Sequence, residues 1–113
     1  MDERRNEVRM LCADMVDVEW TERSGKTRHT TGLLEDISAL GACLQLETAV
    51  PLGVPIQWRT PKRDFKGKVR YCVYREIGYF VGVEFNEASR WSKQAYKPQH
   101  LLDLQKLAAS AGK

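Results

Sequence analysis

Between Val16 and Phe85 the chain alternates apolar and polar residues with period two, and glycine, proline or short polar clusters interrupt it at short intervals. Side chains alternate sides only in an extended strand, so this pattern specifies half-buried β-strands rather than amphipathic helices. Val16, Val18 and Trp20 share one face of the first run, with Asp17 and Glu19 opposite. Arg23-Ser24-Gly25-Lys26 supplies a turn, with a glycine available for positive φ. A second run extends from Arg28 to Leu34, and Glu35 to Gly41 reads as a loop because Asp, Ser and Gly favour turns. Ala42, Leu44 and Leu46 then face one way and Cys43, Gln45 and Glu47 the other, until Pro51 and Gly53 break the chain. Val54, Ile56 and Trp58 resume the alternation, and Pro61–Asp64 makes the next turn. Phe65, Val69, Tyr71 and Val73 form the apolar face of a fifth run; Tyr79, Val81, Val83 and Phe85 form that of a sixth, Gly78–Phe85. Short strands at roughly 8–12-residue spacing predict a mainly β fold, a six-stranded antiparallel barrel or sandwich.

From Ser89 onward the period changes. Leu101, Leu102, Leu104, Leu107 and Ala108 fall at three- and four-residue spacings, predicting a C-terminal α-helix that covers an open end of the barrel. Pro98 suits a first helical turn and Gly112 a helix end. At 113 residues the chain is long enough for one core and not for a second domain beside it. The expected organisation is a flexible N-terminal arm over residues 1–9 and a single barrel with its helix over residues 10–113.

No apolar run approaches the roughly 20 residues of a transmembrane helix, and no secretory signal follows MDERRNEVR, so we expect a cytoplasmic protein without membrane insertion. Cys12, Cys43 and Cys72 are odd in number and widely spaced, which fits reduced, packed thiols rather than a disulfide framework or a cysteine-rich zinc site. His29 and His100 have no partner at metal-ligand spacing, and no nucleophile, Walker or dinucleotide-binding pattern is present. We therefore expect neither an enzyme nor a resident metal or cofactor. Charge is uneven: residues 1–58 hold 6 Lys/Arg against 10 Asp/Glu, net −4, while residues 59–113 hold 12 against 5, net +7. The cluster Arg59, Lys62, Arg63, Lys66, Lys68 and Arg70 suits either a phosphate-bearing partner or a solvated hairpin. A nucleic-acid polymer is disfavoured because the nearby aromatics alternate toward the expected core.

Two short constellations carry the chemistry. Arg5 and Arg9, separated by three residues in Arg5-Asn-Glu-Val-Arg9, offer planar guanidinium groups that bind phosphate or the O6/N7 edge of guanine. Read alone, the segment is also compatible with an ordinary charged tail, since Asp2, Glu3 and Glu7 offset the charge locally. Asp36-Ile-Ser38-Ala-Leu-Gly41 offers a carboxylate acceptor for base N–H donors, a hydroxyl, and a glycine for positive φ or close backbone approach. An Asx or Ser turn between strands is the plainer alternative for these residues.

Together the two motifs match the RxxxR and [D/N]xSxxG pair, and the chain resembles the PilZ domain family of bacterial receptors for cyclic di-GMP. Gly67-Lys-Val-Arg-Tyr71 and Gly78 to Phe85 are similar to that family's last two strands. The resemblance implies a six-stranded antiparallel barrel with a helix against it. It implies that Arg5 and Arg9 grip phosphate and guanine, that Asp36 reads a guanine, that Ser38 contacts the ligand and that Gly41 keeps the loop's shape. Arg4, just before the first motif, implies an extra cation for a stacked pair of ligand molecules. The expectation is a stand-alone receptor whose arm orders around cyclic di-GMP and relays binding to a separate effector protein. The alternative is a PilZ-like protein-interaction module that does not bind the nucleotide.

Overall fold

The computed structural model describes residues 10–60 and 63–86, and the backbone of residues 102–103. Seven strands follow in chain order: β1 (Met10–Thr21), β2 (Thr27–Ile37), β3 (Gly41–Leu46), β4 (Pro55–Arg59), β5 (Asp64–Arg75), β6 (Gly78–Phe85) and the two-residue β7 (Leu102–Asp103). They pair in the order β2-β3-β6-β5-β4-β1-β7, and β2 also pairs with β1. That extra pairing closes six antiparallel strands into a barrel, which satisfies the backbone groups that an open sheet would leave along its edges.

The predicted alternation is what folds. On β1, Val16, Val18 and Trp20 are buried while Met15 and Asp17 are exposed, and Ile56 and Trp58 of β4 face inward beside them. The β1–β2 hairpin turns at Glu22–Lys26, where the Gly25 N–H donates to the Glu22 carbonyl at 2.8 Å and Gly25 adopts φ 92°. Trp58, Phe65 and Phe85 fill the interior, with ring centroids 5.3 to 5.7 Å apart. Leu34, Ile37, Leu44, Trp58, Phe65 and Val81 are wholly inaccessible to solvent.

Three expectations are corrected. The stretch from Glu35 is not all loop: β2 continues through Ile37 and β3 starts at Gly41, leaving only Ser38–Leu40 between them. Ile37 is buried in the core and paired with both Met10 and Ala42, and that packing outweighs the turn preference of its neighbours. On β5 the alternation breaks, because the register with β6 shifts between Val69 and Tyr71. This bulge inverts the phase, so Tyr71 and Val73 are exposed and Cys72 packs against the core instead. Cys43 lies on the outer side of β3 and is buried and free, both as expected.

At the C-terminus, Leu102 and Asp103 are extended rather than helical, paired with Leu11 and Met10 of β1. The rest of the expected helix lies outside the described residues, and among the described residues there is no helix. Accordingly, no helix among them is long and apolar enough to cross a membrane.

Candidate ligand site

The second motif lies at the end of the barrel where β1 begins. Met10 opposes Ile37 and Leu11 opposes Asp36, after which Cys12 and Ala13 together face Glu35 before Asp14 opposes Leu34. On the other side of β2, Leu34 opposes Leu44 and Asp36 opposes Cys43, so against β3 it is Glu35 that is the extra residue. Bulges in both ladders therefore meet at Glu35. They reset the alternation so that Leu34 and Ile37, three residues apart, both face the core. Asp36 is thereby placed on the outer face, half-buried, between Leu11 and Cys43.

Ser38 and Gly41 close the loop that follows. The Ser38 N–H donates to the Gly41 carbonyl at 2.8 Å, and its hydroxyl donates to the same carbonyl at 3.2 Å. The Gly41 N–H in turn donates to Ser38 Oγ at 3.3 Å. Ser38 is 2% exposed, so its hydroxyl serves the shape of its own loop. Gly41 is needed for close approach rather than for positive φ, because a β-carbon on it would lie 2.2 Å from the Val83 carbonyl oxygen of β6. The loop is tied to β6 again by the Phe85 N–H, which donates to the Leu40 carbonyl at 2.8 Å.

This end of the barrel is acidic. The Cys12 thiol is pushed up to about 12, mainly by burial and further by the negative charge of Asp14, Asp36 and Glu35. Glu35 is likewise held above its ordinary value, by desolvation first and by Asp36 second. Such a carboxylate cluster accepts hydrogen bonds from base N–H groups but repels phosphate, so an anionic ligand needs cations from elsewhere. Arg4, Arg5 and Arg9 lie outside the described residues. Chain connectivity nonetheless bounds their reach. Arg9 directly precedes Met10, and Arg5 lies five residues before it, within about 18 Å even at full extension.

Beside the motif, one rung crosses the outer face: Leu11 on β1, Asp36 on β2, Cys43 on β3, Gly82 on β6 and Tyr71 on β5 are successive cross-strand partners. The alternation pattern had assigned Tyr71 to the core. The signal that could have placed it outside is Gly82, a gap in the otherwise bulky run Val81-Gly-Val83-Glu-Phe85.

The fold and the hairpin define the class: a small closed antiparallel β-barrel domain carrying a DxSxxG loop where its first strand enters. The model of the PilZ domain family matches residues 3–97, and the chain belongs to that family. PilZ domains are binding modules for cyclic di-GMP. No curated protein matches the chain.

Proposed function

We propose that this protein is a cyclic di-GMP receptor. The observation that carries this reading is the juxtaposition of Met10, the first residue after the RxxxR segment, with Ile37, the residue just before Ser38. The residue that follows the first motif is thus set beside the strand end that carries the second, which supports a shared site for the two. Asp36 supplies an acceptor for guanine N–H donors, and Ser38 and Gly41 hold the loop against β6. Arg5 and Arg9 supply the cations that the acidic rim lacks, gripping phosphate oxygens and the guanine Hoogsteen edge, with Arg4 as an additional cation for a second ligand molecule.

Binding orders the arm, at a cost of about 1–2 kcal/mol per backbone residue fixed, which ligand contacts must exceed. The root of the arm, Met10–Leu11, is bridged on one side by β2 and on the other by Leu102–Asp103. A ligand-driven change in the arm therefore reaches the C-terminal segment directly, and the remodelled surface is what a separate effector protein reads.

Calorimetric titration of cyclic di-GMP into the wild-type protein and an Arg9→Ala variant, with GTP as control, tests this. Saturable binding that is lost in the variant supports the receptor, and the stoichiometry reports whether Arg4 helps hold a second ligand. Absence of heat with any guanine nucleotide leaves the barrel as a protein-interaction module.

A further inference from the structure

Barrel closure stops short of one stretch of backbone. On the side of β5 away from β6, β4 pairs only as far as Lys68. The Gly53 N–H then donates to the Val69 carbonyl at 2.8 Å and the Val69 N–H to the Val54 carbonyl at 3.1 Å. Beyond Val69, Cys72–Arg75 pair with β6 alone among the described residues, opposite Gly78–Val81. Behind β6 stands β3, where Leu46 opposes Tyr79 and the Gln45 side-chain amide donates to the Ile77 carbonyl at 3.0 Å. The hairpin tip is therefore held from one side and open on the other. In an antiparallel ladder alternate residues turn their N–H and C=O to opposite sides, so every second residue of Cys72–Arg75 presents both groups to the open edge. Edge strands are ordinarily guarded by charge, proline or a bulge. Here Tyr71-Cys72-Val73-Tyr74 carries neither charge nor proline, and the bulge lies before it, at Arg70. Val73 and Tyr74 are 42% and 66% exposed, so apolar side chains and an open backbone edge coincide.

We infer that this edge is a self-association surface, on which β5 of a second copy pairs antiparallel about a two-fold axis through Val73. A two-fold axis normal to the sheet relates antiparallel neighbours, so each residue meets the one equidistant from the axis on the second copy. About Val73, Val73 meets itself, Cys72 meets Tyr74, Tyr71 meets Arg75 and Arg70 meets Glu76. The centre is apolar, the next pairs set a guanidinium beside an aromatic ring, and the outermost join opposite charges. Arg70 holds Glu84 through Nη1 and keeps further N–H donors for Glu76 of the second copy. Neighbouring registers lose this match. About Cys72, Val69 would have to pair although its N–H and C=O are already bonded. About Tyr74, Val73 would meet Arg75 and Cys72 would meet Glu76. The edge thus complements itself in one register, which favours a second copy over an unrelated strand. Each barrel lies toward its own Asp64, at opposite ends of the paired strands, and does not obstruct the other. So short a pairing makes a small interface, and the dimer should dissociate on dilution.

Sedimentation equilibrium of the wild-type protein without ligand, from micromolar to millimolar concentration, should show monomer passing to dimer and no larger species. Val73→Lys sets like charges on the axis at a position already exposed, and is expected to weaken the dimer about tenfold or more. Glu76→Arg is expected to weaken it about fivefold, and adding Arg70→Glu to return it to within about threefold of wild type, because the swap restores both ion pairs. Hydrogen exchange of the Cys72–Arg75 amides gives a readout that needs no variant, and it should slow at alternate residues as concentration rises. A monomer at every concentration, a dimer that Val73→Lys leaves within about twofold of wild type, or a charge swap that restores nothing would each overturn the inference. Exchange that is slow at every concentration would overturn it as well, since another part of the same chain would then cover the edge. None of these outcomes bears on whether the protein binds cyclic di-GMP.

Discussion

Gly41 of β3 and Val83 of β6 approach so closely that a β-carbon on the glycine would lie 2.2 Å from the Val83 carbonyl oxygen. Gly67, on the other flank of β6, is in the same position, with its β-carbon 2.1 Å from the Glu84 carbonyl oxygen. The end of β6 is thus clasped between two glycines on neighbouring strands, beside the DxSxxG loop. Backbone carbonyls in a closed barrel cannot yield as a flexible side chain can. Gly41→Ala is therefore expected to cost about 1–3 kcal/mol or more, read as a lower urea midpoint. Gly53→Ala gives the contrast. There φ is 79° but nothing lies within 4 Å, so only backbone strain of about 1 kcal/mol is expected.

Ser38→Ala removes a hydroxyl that both donates to and accepts from Gly41, while the backbone bond from the Ser38 N–H to the Gly41 carbonyl remains. The expected loss is about 1–2 kcal/mol, because the loop stays closed but the half-buried Gly41 N–H loses its partner. Hydrogen exchange at the Gly41 amide should accelerate more than at the Phe85 amide, which keeps its bond to Leu40. Equal protection at both sites would show that the hydroxyl does not hold the loop.

The three thiols should separate by reactivity. Cys12 and Cys43 are buried, and the Cys12 thiol is held protonated by burial and by its acidic neighbours, whereas Cys72 is only half-buried. At neutral pH a thiol-specific reagent should modify Cys72 first, and the other two only after unfolding. Mass mapping of the labelled peptides checks this, and early modification of Cys12 would contradict the fold at the β1–β2 bulge.

Glu35 sets a pH dependence whose sign follows from its raised carboxyl. The folded protein retains a proton that the unfolded chain releases from its ordinary value near 4.5. Stability from this group is therefore greatest below that value, declines as pH rises through the raised folded pKa, and is level above it. Glu35→Gln removes the penalty, so the variant should be the more stable protein at pH 7 and differ little from wild type below about pH 4. Urea titrations at both pH values give the comparison, and a variant less stable at pH 7 would mean that the carboxylate makes a compensating bond.

Arg63 stacks on Phe65 with its guanidinium carbon 4.7 Å from the ring centroid, where the chain leaves the Thr60–Arg63 turn for β5. Phe65 itself is fully buried against Trp58 and Phe85. Phe65→Ala should cost about 3–5 kcal/mol, with an accompanying change in tryptophan fluorescence as Trp58 loses its stacking partner. Arg63→Ala should cost under about 1 kcal/mol, since the cation lies at the margin of the core.

The amino-acid sequence by itself determined the strand class, the inward sets Val16-Val18-Trp20, Ala42-Leu44-Leu46 and Val81-Val83-Phe85, the turn at Gly25, and the order of the two motifs. Those features are local, because side-chain alternation and turn preference are properties of a few consecutive residues. Tertiary structure decided the phase wherever a ladder bulges. At Glu35 it carried β2 through Asp36 and Ile37 and set the carboxylate on the outer face; at Arg70 it turned Tyr71 outward onto Gly82. It also chose extended pairing with β1 at Leu102–Asp103, where leucine spacing indicated a helix. A bulge is a mismatch in residue count between two paired strands, so it exists only once both strands are in register. The residues that shape the site depend on barrel closure, and no single strand encodes that closure.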